Sequence, residues 1–151
     1  MISGKLVTAA AAAAVIFTGI ASAWAGGAED IKYRQTNYKA VGAHMGAMAA
    51  IVKGEVDHKD QLAIHAAAIS AIADNAATLF PKGSGPEAGD TKALAVIWED
   101  EAGFQEVLDG FKTAAANAAE VAKTGDMAAF GGALKQLGAS CGACHKAYRG
   151  K

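Results

Sequence analysis

Five consecutive residues near the C-terminus could do chemistry: Cys141-Gly142-Ala143-Cys144-His145. Two thiols three apart, followed at once by an imidazole, form a C-x-x-C-H motif, and in an exported chain that spacing marks covalent haem attachment. On a helix, Cys141 and Cys144 share one face, so both thiols can reach the two vinyl groups of one porphyrin. His145, on the adjacent edge, can present an imidazole nitrogen to the iron. Other uses of the pair fit less well. A disulfide between thiols three apart on a helix is geometrically awkward. A thioredoxin-like redox pair expects a βαβ setting. A zinc site needs two more ligands, and the chain has no other cysteine. The expected cofactor is one covalent haem c, with His145 as the axial metal ligand.

The other end of the chain supplies the export signal that this reading needs. Met1 to Lys5 is a short, singly charged start, and LVTAAAAAAVIFTGI over 6–20 is an unbroken apolar or small run. Ala21-Ser22-Ala23 and Ala23-Trp24-Ala25 are successive A-x-A cleavage signatures. Residues 1–25 are therefore expected to be a secretory signal peptide, cleaved after Ala23 or Ala25, and residues 26–151 the functional domain. The run is too short for a membrane span of about 20 residues. A thin n-region, no twin arginine and a soluble product point to the periplasm, with no membrane attachment after cleavage. A net charge of -1 offers no basic footprint for nucleic acid.

The elements that must position the motif are helical. Alanine dominates the composition, and Pro81 and Pro86 fall in one short window. Apolar positions recur at steps of three and four. The expected helices are A at 29–53, B at 58–79, C at 92–123 with irregular first turns near Trp98, and D at 127–148. Their inward stripes include Ile31, Val41, Met48 and Val52 on A, Leu62, Ile69 and Leu79 on B, Leu94, Glu101, Phe104 and Phe111 on C, and Phe130, Leu137 and Tyr148 on D. Asp57 and Asp126 are the expected N-caps of B and D. No stretch alternates, so no sheet is expected. Four such helices with short links give an all-α, antiparallel up-down four-helix bundle.

That topology brings the start of A beside the end of D. The haem then lies at the level of Arg34 and Tyr38. Met45 is about 10 Å further along the axis and Met48 about 15 Å, while His65 is about 21 Å from the near end of B. His44 falls off the stripe, and His58 sits at the far turn. Met45 and Met48 are read as core, His44 and His58 as surface, and His65 as a partly buried polar residue. Tyr38 then faces the open side of the iron, and a neutral phenol is a poor ligand. The iron is expected to be five-coordinate and to bind small neutral gases, with the Tyr38 ring as a steric filter; the alternative is Tyr38 as plain core. Arg34 interrupts an apolar stripe, either to grip a haem propionate bidentately, with Gln35 adding a bond, or to snorkel. Arg149, one turn after His145, either hovers over the proximal imidazole or is a solvated charge favouring the helix dipole.

These residues resemble the cytochrome c′ family of class II c-type cytochromes. The resemblance covers nearly all of 26–151 and is carried by Tyr33-Arg34-Gln35, Val52-Lys53-Gly54, Ile97-Trp98 and the run from Gly138 to Arg149. It implies a left-handed bundle, usually dimeric through helices A and B. It implies haem c on Cys141 and Cys144, His145 as proximal ligand, haem contacts at Arg34, Gln35 and on or near Asp90, and a proximal-pocket arginine at Arg149. The related low-spin c-556 group has a methionine ligand in helix A where this chain has Tyr38, which favours the five-coordinate branch. Family members bind nitric oxide and carbon monoxide, and many are electron carriers; the sequence names no redox partner. The alternative is a six-coordinate electron-transfer cytochrome of the c-556 type using Met45. Enzymatic turnover, such as nitric oxide reduction or peroxidase chemistry, ranks last because no acid–base pair is visible near the haem.

Overall fold

The computed structural model describes residues 26–151. The proposed signal peptide and its two cleavage sites lie outside the described residues. Five α-helices follow in order: α1 (Gly27–Val52), α2 (Leu62–Asp74), the single turn α3 (Val96–Glu99), α4 (Glu101–Thr124) and α5 (Met127–Tyr148). The four long ones form the expected bundle. No helix among the described residues is long and apolar enough to cross a membrane. The only extended pairing there is an isolated bridge between Ala93 and Arg149.

Local chemistry explains most boundaries. Gly54 and Gly125, both at φ 73°, end α1 and α4 in the left-handed conformation that favours glycine. Asp126 caps α5 as expected, accepting from the backbone N–H of Ala128 at 3.0 Å and Ala129 at 2.9 Å. Asp57 does not cap helix B. The chain there enters through a 3-10 turn at Lys59–Gln61, and α2 begins at Leu62 without a side-chain cap. Asp57 instead sits in solvent, 3.7 Å from Lys59. Helix B also stops short, breaking at Asn75 into a 3-10 turn, Ala76–Leu79.

Helix C differs most from its periodic reading. Residues 92–95 are not helical; α3 and α4 are separated by Asp100, whose Oδ1 accepts from Gly103 N–H at 3.1 Å to start α4. The irregularity expected near Trp98 is real, but it displaces two stripe residues. Leu94 is exposed, and Glu101 faces solvent, where it pairs with Lys82 at 3.0 Å. The break is fixed by a close approach. A Cβ on Gly103 would collide with the Asp100 carboxylate and stand 2.7 Å from the Tyr148 hydroxyl.

The helices pack as a ring: α1 on α2, α2 on α4, α4 on α5, with a much thinner seam between α5 and α1. One end is solid, filled by Met48, Ile69, Ala115, Phe130 and Leu137, each at most 1% exposed. At the other end the α1–α5 seam opens.

Candidate functional site

The opening is a cavity of about 590 Å³, within the range of roughly 300–1,000 Å³ usual for small-molecule and cofactor sites. Three helices wall it: α1 from Arg34 to Met45, α4 from Phe104 to Phe111, and α5 from Gly138 to Tyr148. Cys141, Cys144 and His145 all line it, as the shared face of a helix requires. The two thiols are half-buried and not bonded to each other. Burial raises both their pKa values and holds them protonated. Loss of water on the cavity side lowers the pKa of His145, and the positive charge of Arg149 adds to it. Both effects favour the neutral imidazole, the form that binds a metal.

On the facing wall, Tyr38 is half-buried and points its chemistry into the same space. Burial, reinforced by the neighbouring Cys144, raises its pKa; the Arg34 charge opposes this only in part. Its ring begins an aromatic chain through Phe80 at 6.1 Å and Phe104 at a further 4.8 Å to Tyr148 at 5.1 Å. Met45 also lines the cavity. It packs against the core, as expected, and also faces the space because α1 and α5 spread apart there. Met48 is fully buried in the solid end, as expected. His58 is exposed, but His44 is not a surface residue: it is half-buried against His65, outside the cavity.

Arg34 is arranged differently from the expected two-point grip on a carboxylate. It is 3% exposed. Its Nη1 donates to the Leu79 carbonyl at 3.1 Å and Ser84 Oγ at 2.8 Å, and its Nη2 to the Ser84 carbonyl at 2.8 Å and Thr91 Oγ1 at 3.2 Å. The guanidinium also lies 4.7 Å over the Phe80 ring. Four of its five N–H groups are thus committed to neutral acceptors on the connection between α2 and α3, which leaves at most Nε–H for a ligand. Arg34 is first of all the clamp that folds this connection over the cavity mouth. Gln35 lines the cavity and donates to the backbone carbonyl of Asp90 at 2.9 Å; the Asp90 side chain is exposed and does not line the cavity. Arg149 does line it, and its backbone pairs with Ala93.

Several residues escaped the sequence reading. Phe80 belongs to no periodic stripe and is placed by Arg34 and by Trp98, whose Nε1 donates to the carbonyls of Phe80 at 3.1 Å and Pro81 at 3.2 Å. Asp100 accepts from the Tyr148 hydroxyl at 3.0 Å. The last turn of α5 is further tied down by Leu94 N–H to the Tyr148 carbonyl at 3.0 Å and Gly150 N–H to the Lys92 carbonyl at 2.7 Å. No spacing signals them: Phe80 is the only aromatic residue between Tyr38 and Trp98.

The residues present fit a covalently held porphyrin. An apolar, aromatic-walled space carries two protonated thiols and a neutral imidazole on one helix face. Among the described residues, no group of three or more His, Cys, Asp or Glu side chains stands ready for a bare metal ion.

Comparison with known proteins agrees with this chemistry. Residues 29–149 match the family model described as Cytochrome C'. The chain is 41% identical over 121 residues to cytochrome c' of Pararhodospirillum photometricum, covering 79% of this chain and 94% of the relative. It is 38% identical over 131 residues to cytochrome c-556 of Agrobacterium tumefaciens, covering 81% and 98%. A solved structure of a cytochrome c prime mutant from Alcaligenes xylosoxidans, in its nitric oxide complex, superimposes with a TM-score of 0.76 at 28% identity, covering 85% of this chain and 99% of that one.

Proposed function

Since the chain belongs to the cytochrome c′ family of c-type haem proteins, we propose that it is a periplasmic, five-coordinate, high-spin member that binds nitric oxide and carbon monoxide and can carry one electron. Cys141 and Cys144 would hold the porphyrin through thioethers, each thiol adding across one vinyl group, and His145 would be the single protein ligand. The group supplies a redox-active iron with one open coordination position. The chain's own residues do the rest. His145 holds a neutral imidazole toward the cavity, and Arg149 favours that neutrality. Tyr38 and Phe80 keep the facing wall apolar and crowded, so entry is graded by size rather than by hydrogen bonding. Arg34 and Gln35 hold the covering connection in place. Proposed roles for Asp90 shrink to its backbone carbonyl. No paired acid and base line the cavity, which favours binding and electron transfer over turnover.

The observation that carries this reading is one cavity lined by both thiols, the imidazole and Tyr38. Absorption spectra of the purified protein in ferric, ferrous and ferrous-plus-carbon-monoxide states test it. A broad, unsplit high-spin ferrous band that shifts with carbon monoxide is expected; a sharp, split low-spin α-band refutes five-coordination.

A second reading has its own support. Met45 lines the same cavity, and the similarity extends to a cytochrome c-556, so a six-coordinate electron carrier with Met45 as ligand is the alternative. Met45→Leu decides between the two. The ferrous spectrum is expected to stay unchanged; conversion from low to high spin would establish the alternative.

A further inference from the structure

Outside the cavity, one pair of side chains has no role in anything described so far. His44 of α1 and His65 of α2 face each other with Nδ1 atoms 2.9 Å apart. Their rings are tilted by 49°, with centroids 5.2 Å apart. That centroid separation is close to the nitrogen separation plus the two ring radii, so the rings meet head-on and each Nδ1 aims into the same gap. Both residues are half-buried, and neither lines the cavity.

We propose that His44 and His65 form a second metal site, a two-imidazole clamp across the α1–α2 seam for a divalent transition ion, Cu(II) above all. At 2.9 Å the two nitrogens are close enough to share one ion once both lone pairs turn onto it. Imidazole nitrogens completed by water oxygens suit Cu(II), Ni(II) and Zn(II) alike. Among divalent first-row ions Cu(II) also binds such donors most tightly.

A single proton fills the gap in the metal-free protein, donated by one Nδ1 and accepted by the other. On binding, that proton moves to Nε2 of the ring that carries it. Both rings bind as neutral imidazoles, and the ion brings its own two positive charges. Each lone pair turns onto the ion by rotation about χ2, a broad torsion in histidine. The two backbones are fixed in packed helices, so the chelate is largely preorganised. This site is independent of the haem reading, since no cavity residue takes part.

Titration of the holoprotein with Cu(II), followed by calorimetry and electron paramagnetic resonance, tests it. One Cu(II) per chain is expected, with nitrogen splitting from two imidazoles and no change in the haem absorption spectrum. His44→Ala and His65→Ala are each expected to weaken binding at least about tenfold, as loss of one of two chelating donors requires, while His58→Ala on the exposed turn leaves it unaltered. His44→Gln and His65→Gln keep a polar side chain at each position and repeat the test should an alanine variant misfold. Binding that survives loss of either histidine, binding lost with His58, tighter binding of Zn(II) than Cu(II), or no binding would overturn the proposal.

Discussion

Tyr38 and Met45 stand two helical turns apart on α1 and reach the same cavity, yet only one of them can be a strong iron ligand as it stands. A thioether needs no deprotonation, whereas the Tyr38 phenol is held protonated by burial. On the proposed reading, this asymmetry makes Tyr38 the filter and Met45 the residue on which coordination number turns. Tyr38→Ala is expected to raise carbon monoxide affinity by about ten- to a hundredfold, the roughly 1–3 kcal/mol that size exclusion in an apolar pocket supplies. Equilibrium titration of the ferrous protein checks it, and an unchanged affinity removes Tyr38 from that role. The raised pKa also sets an alkaline limit. Below about pH 10 the phenol is neutral in both folded and unfolded chains and makes no pH-dependent contribution. Above that, the unfolded chain loses the proton first, so stability falls as pH rises toward the folded value. Thermal unfolding of Tyr38→Phe is expected to decline less steeply than the parent above about pH 10.

At the scale of elements, the longest connection does as much as any helix to shape the site. It runs over the cavity mouth because Arg34 reaches across from α1 with four hydrogen bonds, three of them to residues at Leu79 and Ser84. Ser84 is fully buried, and its Oγ in turn donates to the Pro81 carbonyl at 2.8 Å. Arg34→Met keeps the stem's volume but strands those buried acceptors. Urea unfolding is expected to show a loss of about 2–4 kcal/mol, the cost of several unsatisfied buried polar groups. The last turn of α5 is held in a similar way, by Tyr148 to Asp100 and by two backbone bonds to residues 92–94. Both restraints come from segments that periodicity assigns to the ends of helices B and C. The reason the sequence misleads there is plain: a three-to-four spacing of apolar residues continues through 76–79 and 94–97, but tertiary hydrogen bonds override it.

Across the whole molecule, the bundle is solid at one end and open at the other, and one large apolar residue on each of α1 and α2 faces outward. Tyr33 and Ile64 are each 65% exposed. Scattered exposure of this kind makes no interface by itself; the homodimer through these two helices is what the family resemblance implies, and Ile64 is the place to test it. Placing a charge there should disfavour burial in an interface. Ile64→Glu is expected to raise the dimer dissociation constant at least about tenfold, read by sedimentation equilibrium, with the haem spectrum unchanged. A parent protein that sediments as a monomer at every concentration would remove the dimer altogether.

The chemistry was legible in one dimension because it is local. C-x-x-C-H on a helix places two thiols on one face whatever surrounds them, and the stripes around Met48, Ile69, Phe111 and Phe130 determine four packed helices because burial follows the 3.6-residue repeat. The level of the site on α1 was legible too, since up-down topology sets which ends meet. What only the folded chain decided were contacts between residues far apart in sequence. Arg34 holds a loop rather than presenting two prongs to a ligand, because its acceptors lie 45–57 residues away. Met45 joined the cavity because α1 and α5 diverge, and His44 found His65 across 21 residues. Such pairings depend on how helices tilt and where loops cross, quantities that no spacing within a single helix encodes.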